Sequence, residues 1–355
     1  MRLRSILSEA YRNIVTGTTR ALLLGIFLAA ISAGLAIVDA RSIIDIEQKA
    51  DDFVSSGGSV RVMVARESID AAACERLSAI SGVRSAGALK ETDAVVLRVM
   101  IANPIPAYVV TPGLIEVLGG NAATRAGAWL PAQLAKTLGV QPGQELVTTA
   151  GTLSVAGIYD YPDDGRDSRL NYAALLPQLA TGVFDECWAE VWPLSKTRDH
   201  LLYSALTVDV SSTDPVIIGQ LNTSRGTQFD GVGAFTGRPT RYGLAGCGLA
   251  GLILGFVAIR MRRLEIAAAL HLGESRCALL ASLLIETAVW SFSAFILAAC
   301  ALVFGVIPRN TAASMNVYII DICGPAAAAL TALVGTVLAS FTIQEKYLFG
   351  YFKSR

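Results

Sequence analysis

Four long runs of apolar residues divide the chain. They cover residues 21–40, 242–259, 278–307 and 322–343. Each is long enough to cross a hydrocarbon layer of about 30 Å, which takes roughly 20 helical residues. The third run is longer than one crossing needs, so we expect it to tilt or to extend past the membrane. The pattern predicts an α-helical membrane protein with four transmembrane helices.

Residues 1–20 have an amphipathic pattern. Charged and polar residues fill one helical face, and the opposite face has the spacing of apolar residues: Leu3, Ile6, Leu7, Ala10, Tyr11, Ile14 and Val15. This segment is therefore predicted to be an interfacial helix at the membrane surface. Two alternatives stay open: a simple orientation signal, and a signal peptide cleaved near residues 38–40.

The region between the first two runs, residues 41–241, mixes element types. Helical character continues to about residue 53 and stops at a serine- and glycine-rich break over 55–59. Beyond the break, apolar alternation predicts strands at 60–64, 94–101, 108–110, 187–191 and 206–210. Helices are predicted at 69–80, 112–118, 198–203 and 215–221. Two strand–helix–strand halves predict an α+β domain of the split βαβ type.

A small β-rich insertion is predicted inside this domain, at about residues 125–181. Gly139 to Gly143 read as a turn, and short strands are expected at 145–148 and 153–158.

Charge decides the predicted orientation. Mean hydropathy is +0.52 and only 16% of residues are charged, which is unusual for a soluble protein. Basic residues concentrate in residues 1–20, in the loop 260–276 and in the tail 344–355, and cytoplasmic loops carry such an excess. We therefore expect a multi-pass protein of the cell (inner or plasma) membrane, with both termini and loop 260–276 in the cytoplasm and residues 41–241 outside.

The loop between the second and third runs carries the most specific motif. The residues that carry it are Arg262, Arg263, Glu265, Ile266, Ala268, Ala269, Leu272 and Gly273. This string resembles the cytoplasmic loop of MacB/FtsX-type ABC transporter permeases, in which the pattern is R-x-x-E-I-(small)-x-x-(small)-L-G-(small). Ala267 and Glu274 stand where the family usually has glycine and a small residue. Residues 129–143 are similar, more weakly, to the family's sequence at the start of its β-rich insertion.

The resemblance implies that this loop is a coupling loop resting on a separate ABC ATPase. The residues expected to transmit motion are Arg262, Arg263, Glu265, Ile266, Leu270, Leu272, Gly273 and Glu274. It also implies two permease copies with two ATPase subunits. The expected function is MacB-like export of a hydrophobic or peptidic compound, such as an antimicrobial, a haem-like molecule or a lipid. The alternatives are an FtsX-like, non-transporting control of an external cell-wall hydrolase, and a membrane receptor or anchor without an ATPase.

Three residues inside the apolar runs are candidates for special roles. Glu286 is a carboxylate in a predicted span, where charge is costly and often functional. It could instead pair with an arginine near the membrane surface. Gly251 and Gly255 have the spacing of a helix-packing motif, which fits contacts within one chain as well as contacts in a dimer.

The sequence shows no set of residues for catalysis. No lysine follows a glycine, so a phosphate loop is absent, and any ATP would be bound and hydrolysed by the partner. We expect no cofactor or metal in this chain and no nucleic-acid partner. Cys74 and Cys187 could pair in an oxidising compartment, although nothing in the sequence brings them together. The aromatic residues of 41–241 could line a binding surface or fill a core, and the substrate is not indicated.

Overall fold

The computed structural model describes residues 3–121, 127–207, 215–306 and 314–344. Contacts divide the chain into two compact units. Unit 1 consists of Met1–Gln48 and Gly231–Arg355, and unit 2 consists of Lys49–Asp230. Unit 2 lies within the predicted external domain 41–241, whose placement outside the membrane stays a prediction.

The α-helices of the described residues, in chain order, are α1 (Leu3–Val15), α2 (Ala21–Ser55), α3 (Ala71–Arg76), α4 (Pro112–Val117), α5 (Ala132–Leu138), α6 (Lys196–Asp199), α7 (Gly231–Gly237), α8 (Gly243–Met261), α9 (Arg263–His271), α10 (Arg276–Val306), α11 (Ser314–Asp321) and α12 (Cys323–Thr342). The strands are β1 (Val60–Asp70), β2 (Val83–Val95), β3 (Ile105–Val110), β4 (Ala128–Pro131), β5 (Glu145–Thr148), β6 (Gly151–Tyr159), β7 (Ala174–Pro177), β8 (Val183–Val191) and β9 (Ile217–Gln220).

Four helical stretches are long and apolar enough to cross a membrane: Ala21–Ser55, Pro239–Met261, Arg276–Val306 and Met315–Thr342. They correspond to the four predicted spans. The first continues as helix beyond its apolar part, as predicted, and ends at Ser55. Gly57 then adopts a positive φ of 83°, a conformation that side chains disfavour, so the chain turns there.

Unit 2 is built on one nine-stranded mixed sheet with the order β5-β6-β4-β7-β3-β2-β8-β1-β9. Strand β8 pairs antiparallel with both β1 and β2, so β1 and β2 run parallel to each other with β8 between them. Helix α3 connects β1 to β2. Strands β4 to β7, from the predicted insertion, extend this sheet through the parallel pair β3–β7.

The central strand β8 separates two apolar cores. Phe184, Cys187 and Ala189 face a core that contains α3, whereas Trp188 faces a second core that includes Leu114 of α4. Cys187 forms a disulfide with Cys74 of α3, with the two Cα atoms 5.8 Å apart. The cysteine pair that the sequence left open is therefore present.

Two predicted elements of unit 2 are wrong. Of the predicted strand 94–101, only residues 94–95 lie in a strand, at the end of β2. Leu97 is buried and forms a single bridge to Thr148, and Val99 is exposed in a turn. Residues 215–221 are not a helix but contain strand β9, which pairs with β1 at the edge of the sheet. The β-branched pair Ile217–Ile218 favours that strand. The predicted strand 206–210 lies partly outside the described residues, as does the tail beyond residue 344.

Candidate coupling site

Helix α9 occupies the predicted coupling loop. Only Arg262 separates it from α8, and Gly273 ends it. Gly273 has a φ of 90°, which suits a glycine just beyond a helix C-terminus, and its N–H donates to the carbonyl of Leu270 at 3.1 Å. The loop is thus a short, well-defined helix between α8 and α10.

One face of α9 packs onto the ends of the membrane helices. Ile266 and Ala267 are buried against an apolar cluster whose other buried members are Ile259, Leu283, Ala339 and Ile343. At the C-terminal end of α9, His271 and Leu272 are exposed to solvent, and Leu272 is 88% exposed. Helix α9 therefore has a fixed inner face and an open C-terminal end.

Arg262 holds the start of α9 by an ion-pair network. Its Nε and a terminal nitrogen donate to the two carboxylate oxygens of Glu265 at 2.9 and 2.8 Å. Its other terminal nitrogen donates to the carboxylate of Glu286 on α10. Only 11% of the Arg262 side chain is exposed, so this is a largely desolvated pair. Such a geometry is costly to break, because it leaves a buried charge unpaired.

Glu286 joins three helices. Its side chain is 3% exposed, and it accepts a second hydrogen bond, at 2.8 Å, from the amide nitrogen of Asn13 on α1. Of the two roles considered for Glu286, the described contacts supply the arginine pair. The carboxylate thereby links α1, the α8–α9 junction and α10.

Two charged side chains near this network have shifted pKa values. Burial alone lowers the pKa of Arg262, but the hydrogen bonds to Glu265 and the charge of Glu286 outweigh it and raise the pKa above its ordinary value. Burial raises the pKa of Glu274, and the negative charge of Glu9 on α1 adds to this. Residue Glu274, which follows α9, is thus also close to α1.

The two glycines of α8 pack against α12 of the same chain. A Cβ atom added to Gly251 would lie 2.0 Å from the carbonyl oxygen of Ala328, and one added to Gly255 would lie 2.0 Å from that of Ala332. A Cβ atom added to Gly335 of α12 would likewise lie 2.2 Å from the carbonyl oxygen of Leu252 on α8. The motif therefore allows two backbones in one bundle to approach closely.

The predicted coupling residues divide into two groups. Arg262 and Ile266 are engaged inside the chain, whereas Glu265, Leu272 and Gly273 are exposed, and Arg263, Leu270 and Glu274 are half-buried. Asn13 was not predicted. The sequence offers one signal for it: Asn13 lies on the same inward-packing face of α1 as Ala10 and Glu9. An apolar residue would be usual at such a position.

The aromatic and acidic residues of unit 2 that follow have structural positions. Trp129 and Trp188 are buried in the core, and the indole of Trp188 donates to Glu186 at 2.8 Å. Asp164 pairs with Arg166 at 2.7 Å. That hydrogen-bonded pair, together with a smaller opposing effect of burial, lowers the pKa of Asp164.

No family model matches the sequence, and no curated protein matches it. Solved structures give partial likenesses. The periplasmic region of MacB from Actinobacillus actinomycetemcomitans aligns with 46% of this chain and 89% of its own, at 12% identity and a TM-score of 0.35. A domain described as that of a permease protein from Porphyromonas gingivalis aligns with 48% of this chain and 93% of its own, at 12% identity and a TM-score of 0.33. These values are too low to establish a shared fold.

Proposed function

We propose that this chain is the membrane subunit of an ABC system of the MacB/FtsX type. In this proposal a separate ABC ATPase docks on α9, and ATP-driven motion passes through the membrane helices to unit 2. The result is the export of a hydrophobic or peptidic compound. Two copies of the chain and two ATPase subunits form the working complex.

The observation that carries the proposal is the way α9 is fixed. A helix that merely lies between two spans needs no polar attachment to the helices beside it. Here Arg262, directly before α9, joins Glu265 of α9 to buried Glu286, and Asn13 connects the same carboxylate to α1. A force applied to α9 would therefore move α10 and α1 with it, as a coupling helix requires.

Two further features support this function. The exposed end of α9, with His271 and Leu272, offers a partner an apolar contact that nothing in the described part of the chain covers. The disulfide between Cys74 and Cys187 fits an oxidising compartment, which supports the placement of unit 2 outside the cytoplasm.

Cavity sizes favour unit 2 as the part that meets the compound. Unit 2 contains cavities of about 630 and 550 Å³, within the usual range of ligand sites. Two cavities of unit 1 are only about 170 and 190 Å³.

The test is ATP hydrolysis by the permease purified together with the ABC ATPase encoded nearest to it, in lipid nanodiscs. We expect the ATPase to co-purify with the wild type, and Arg263→Ala plus Glu265→Ala to uncouple or dissociate it. A matched control removes one positive and one negative charge from unit 2, as Arg98→Ala plus Asp93→Ala, and should leave coupling intact. If no ATPase co-purifies, or if both double variants behave alike, the proposal fails and the receptor interpretation replaces it.

A further inference from the structure

A second polar cluster lies in unit 1, at the ends of the membrane helices opposite α9. Asp39 comes from α2, Arg238 from the segment before α8, and Asp321 from the last position of α11. Nε of Arg238 donates to Asp39 at 2.9 Å, and a terminal nitrogen reaches its other oxygen at 3.4 Å. Only 9% of the Arg238 side chain and 11% of the Asp39 side chain are exposed.

Asp321 has no arginine partner of its own in the described structure. It is 5% exposed, and its side chain lies within hydrogen-bonding contact of Asp39. Two ionised carboxylates are both acceptors, so a hydrogen bond between them requires a proton on one of them. Like charges this close and this buried cannot both stay ionised without a strong penalty.

One carboxylate oxygen of Asp321 lacks a hydrogen-bond donor in the described part of the chain. Its Oδ2 is buried and has no hydrogen-bond partner among the described residues. Asp321 is part of the wall of a cavity of about 190 Å³, which Asp39, Arg238 and Cys247 also line. An unpartnered buried carboxylate oxygen is costly, and protonation is the simplest way to reduce that cost.

The neighbouring groups favour a proton over a metal cation. Arg238 already supplies one positive charge to the cluster, and Arg241, which also borders the cavity, donates to the carbonyl of Thr236 and to the hydroxyl of Tyr242. Among the described residues, other titratable side chains near Asp321 are the thiol of Cys247 on α8, the phenol of Tyr318 on α11 and the exposed thiol of Cys323 at the start of α12. With one proton on the carboxyl pair, the buried set Asp39, Arg238 and Asp321 is electrically neutral.

The chain breaks its helix at this residue. Pro325 lacks an N–H, so the helical hydrogen bond that would accept at the carbonyl of Asp321 cannot form. Helix α11 ends at Asp321 and α12 begins at Cys323. A group whose charge can change therefore sits at a joint between two helices.

We propose that Asp39 and Asp321 form a proton-binding site that ties α2 to the α11–α12 joint. Binding of one proton closes the contact between the two carboxyl groups. When that proton is lost, Asp39 and Asp321 are both negatively charged and repel each other, and Arg238 is the one positive charge that the described structure places between them. The end of the bundle opposite α9 thereby becomes sensitive to pH, independently of any ATPase partner.

The test is infrared difference spectroscopy of the full chain in lipid nanodiscs while pH is raised, with the aspartate carboxyl carbons labelled with ¹³C. We expect a protonated aspartic acid band that disappears at high pH in the wild type. The band should be absent in Asp321→Asn. It should be lost or displaced in Asp39→Asn, which keeps the test valid if the first variant does not fold. Asp93→Asn, at an exposed position of unit 2, should leave it unchanged.

Several results would overturn the proposal. The wild type could show no protonated aspartic acid at any pH, or the band could survive unchanged in both cluster variants. A band that responds to Na⁺ or K⁺ at constant pH, and not to pH itself, would assign the site to a metal cation instead.

Discussion

Arg262 and Glu286 are 24 positions apart in the chain, and their side chains form a buried ion pair between the α8–α9 junction and α10. This ion pair fixes the start of the basic loop 260–276 to α10. Arg262 is also held by Glu265, while Glu286 is also held by Asn13. Each charge thus has a second partner, which is what a largely desolvated pair needs to be stable.

Removal of Glu286 should destabilise unit 1 strongly. Glu286→Ala leaves Arg262 without its buried partner, and we expect a loss on the order of 3 kcal/mol in the free energy of unfolding. Glu286→Gln should cost less, because its amide oxygen can still accept from Arg262 and its NH2 can donate to the Asn13 oxygen once the Asn13 amide turns over. Unfolding of the full chain by a denaturing detergent, in mixed micelles, measures both.

The control is Glu265→Ala, since the Glu265 side chain is 47% exposed. Its cost should stay within about 1 kcal/mol, as for surface pairs. Equal costs at positions 265 and 286 would contradict the buried-pair account.

Close packing of α8 on α12 predicts a position-specific effect of added methyl groups. Gly251→Ala and Gly255→Ala place a Cβ about where the α12 carbonyl oxygens lie, and overpacking of this kind costs about 1–3 kcal/mol. Gly248→Ala is the matched control on the same helix, because its Cβ would lie 3.7 Å from Thr331, an ordinary contact. The midpoint of thermal unfolding compares the three. If Gly248→Ala were as damaging as the other two, the packing account would be wrong.

The Cys74–Cys187 disulfide should contribute strongly to the stability of unit 2. It links residues 113 positions apart. Loss of a native disulfide commonly costs about 2–5 kcal/mol. We expect Cys74→Ser plus Cys187→Ser to lower the denaturant concentration at the midpoint of unfolding. Tryptophan fluorescence measures this unfolding, because Trp188 is buried beside Cys187. Cys300→Ser plus Cys323→Ser removes two exposed free cysteines and should have little effect. The same effect from both double variants would rule out a specific role for the bridge.

Within unit 2, acid should weaken the attachment of the end of α2 to the segment that contains Asp164. The pKa of Asp164 is lowered in the folded state, so its stabilising contribution is present above the pKa of the unfolded chain and is lost as pH falls through the folded value. Asp164 also orients Arg166, which donates to the carbonyl of Ser55 at 3.2 Å.

The measurement is thermal stability against pH for the wild type and Asp164→Asn. We expect the variant to be less stable near neutral pH and less sensitive to acid. Asp163→Asn, at the exposed neighbouring position, should follow the wild-type curve. A curve for Asp164→Asn that parallels the wild type at all pH values would contradict the role of this pair.

Elements that depend on local pattern were predictable from the sequence. The four spans follow from apolar length alone, and the end of α2 follows from its serine- and glycine-rich break. Strand β5 has the predicted bounds 145–148 because apolar and polar residues alternate there.

Elements that depend on distant partners were not predictable. Strand β2 contains Ala86, Gly87 and Ala88, small residues without a strand signal, because α4 packs directly on it. A Cβ added to Gly87 would lie 2.0 Å from the backbone nitrogen of Leu114. The same limit applies to Asn13 and Asp321, whose partners Glu286 and Asp39 are more than 270 positions away.

The most direct test of the coupling account is a photo-crosslink from the open end of α9. A benzophenone amino acid placed at Leu272, which is 88% exposed, should crosslink to the ABC ATPase in intact cells. The same group at Leu179 of unit 2, which is 80% exposed, should not. Crosslinks to an ATP-binding subunit from position 272 alone are the result we predict. No such crosslink from position 272, or one from position 179 instead, would contradict the claim that α9 is the docking helix.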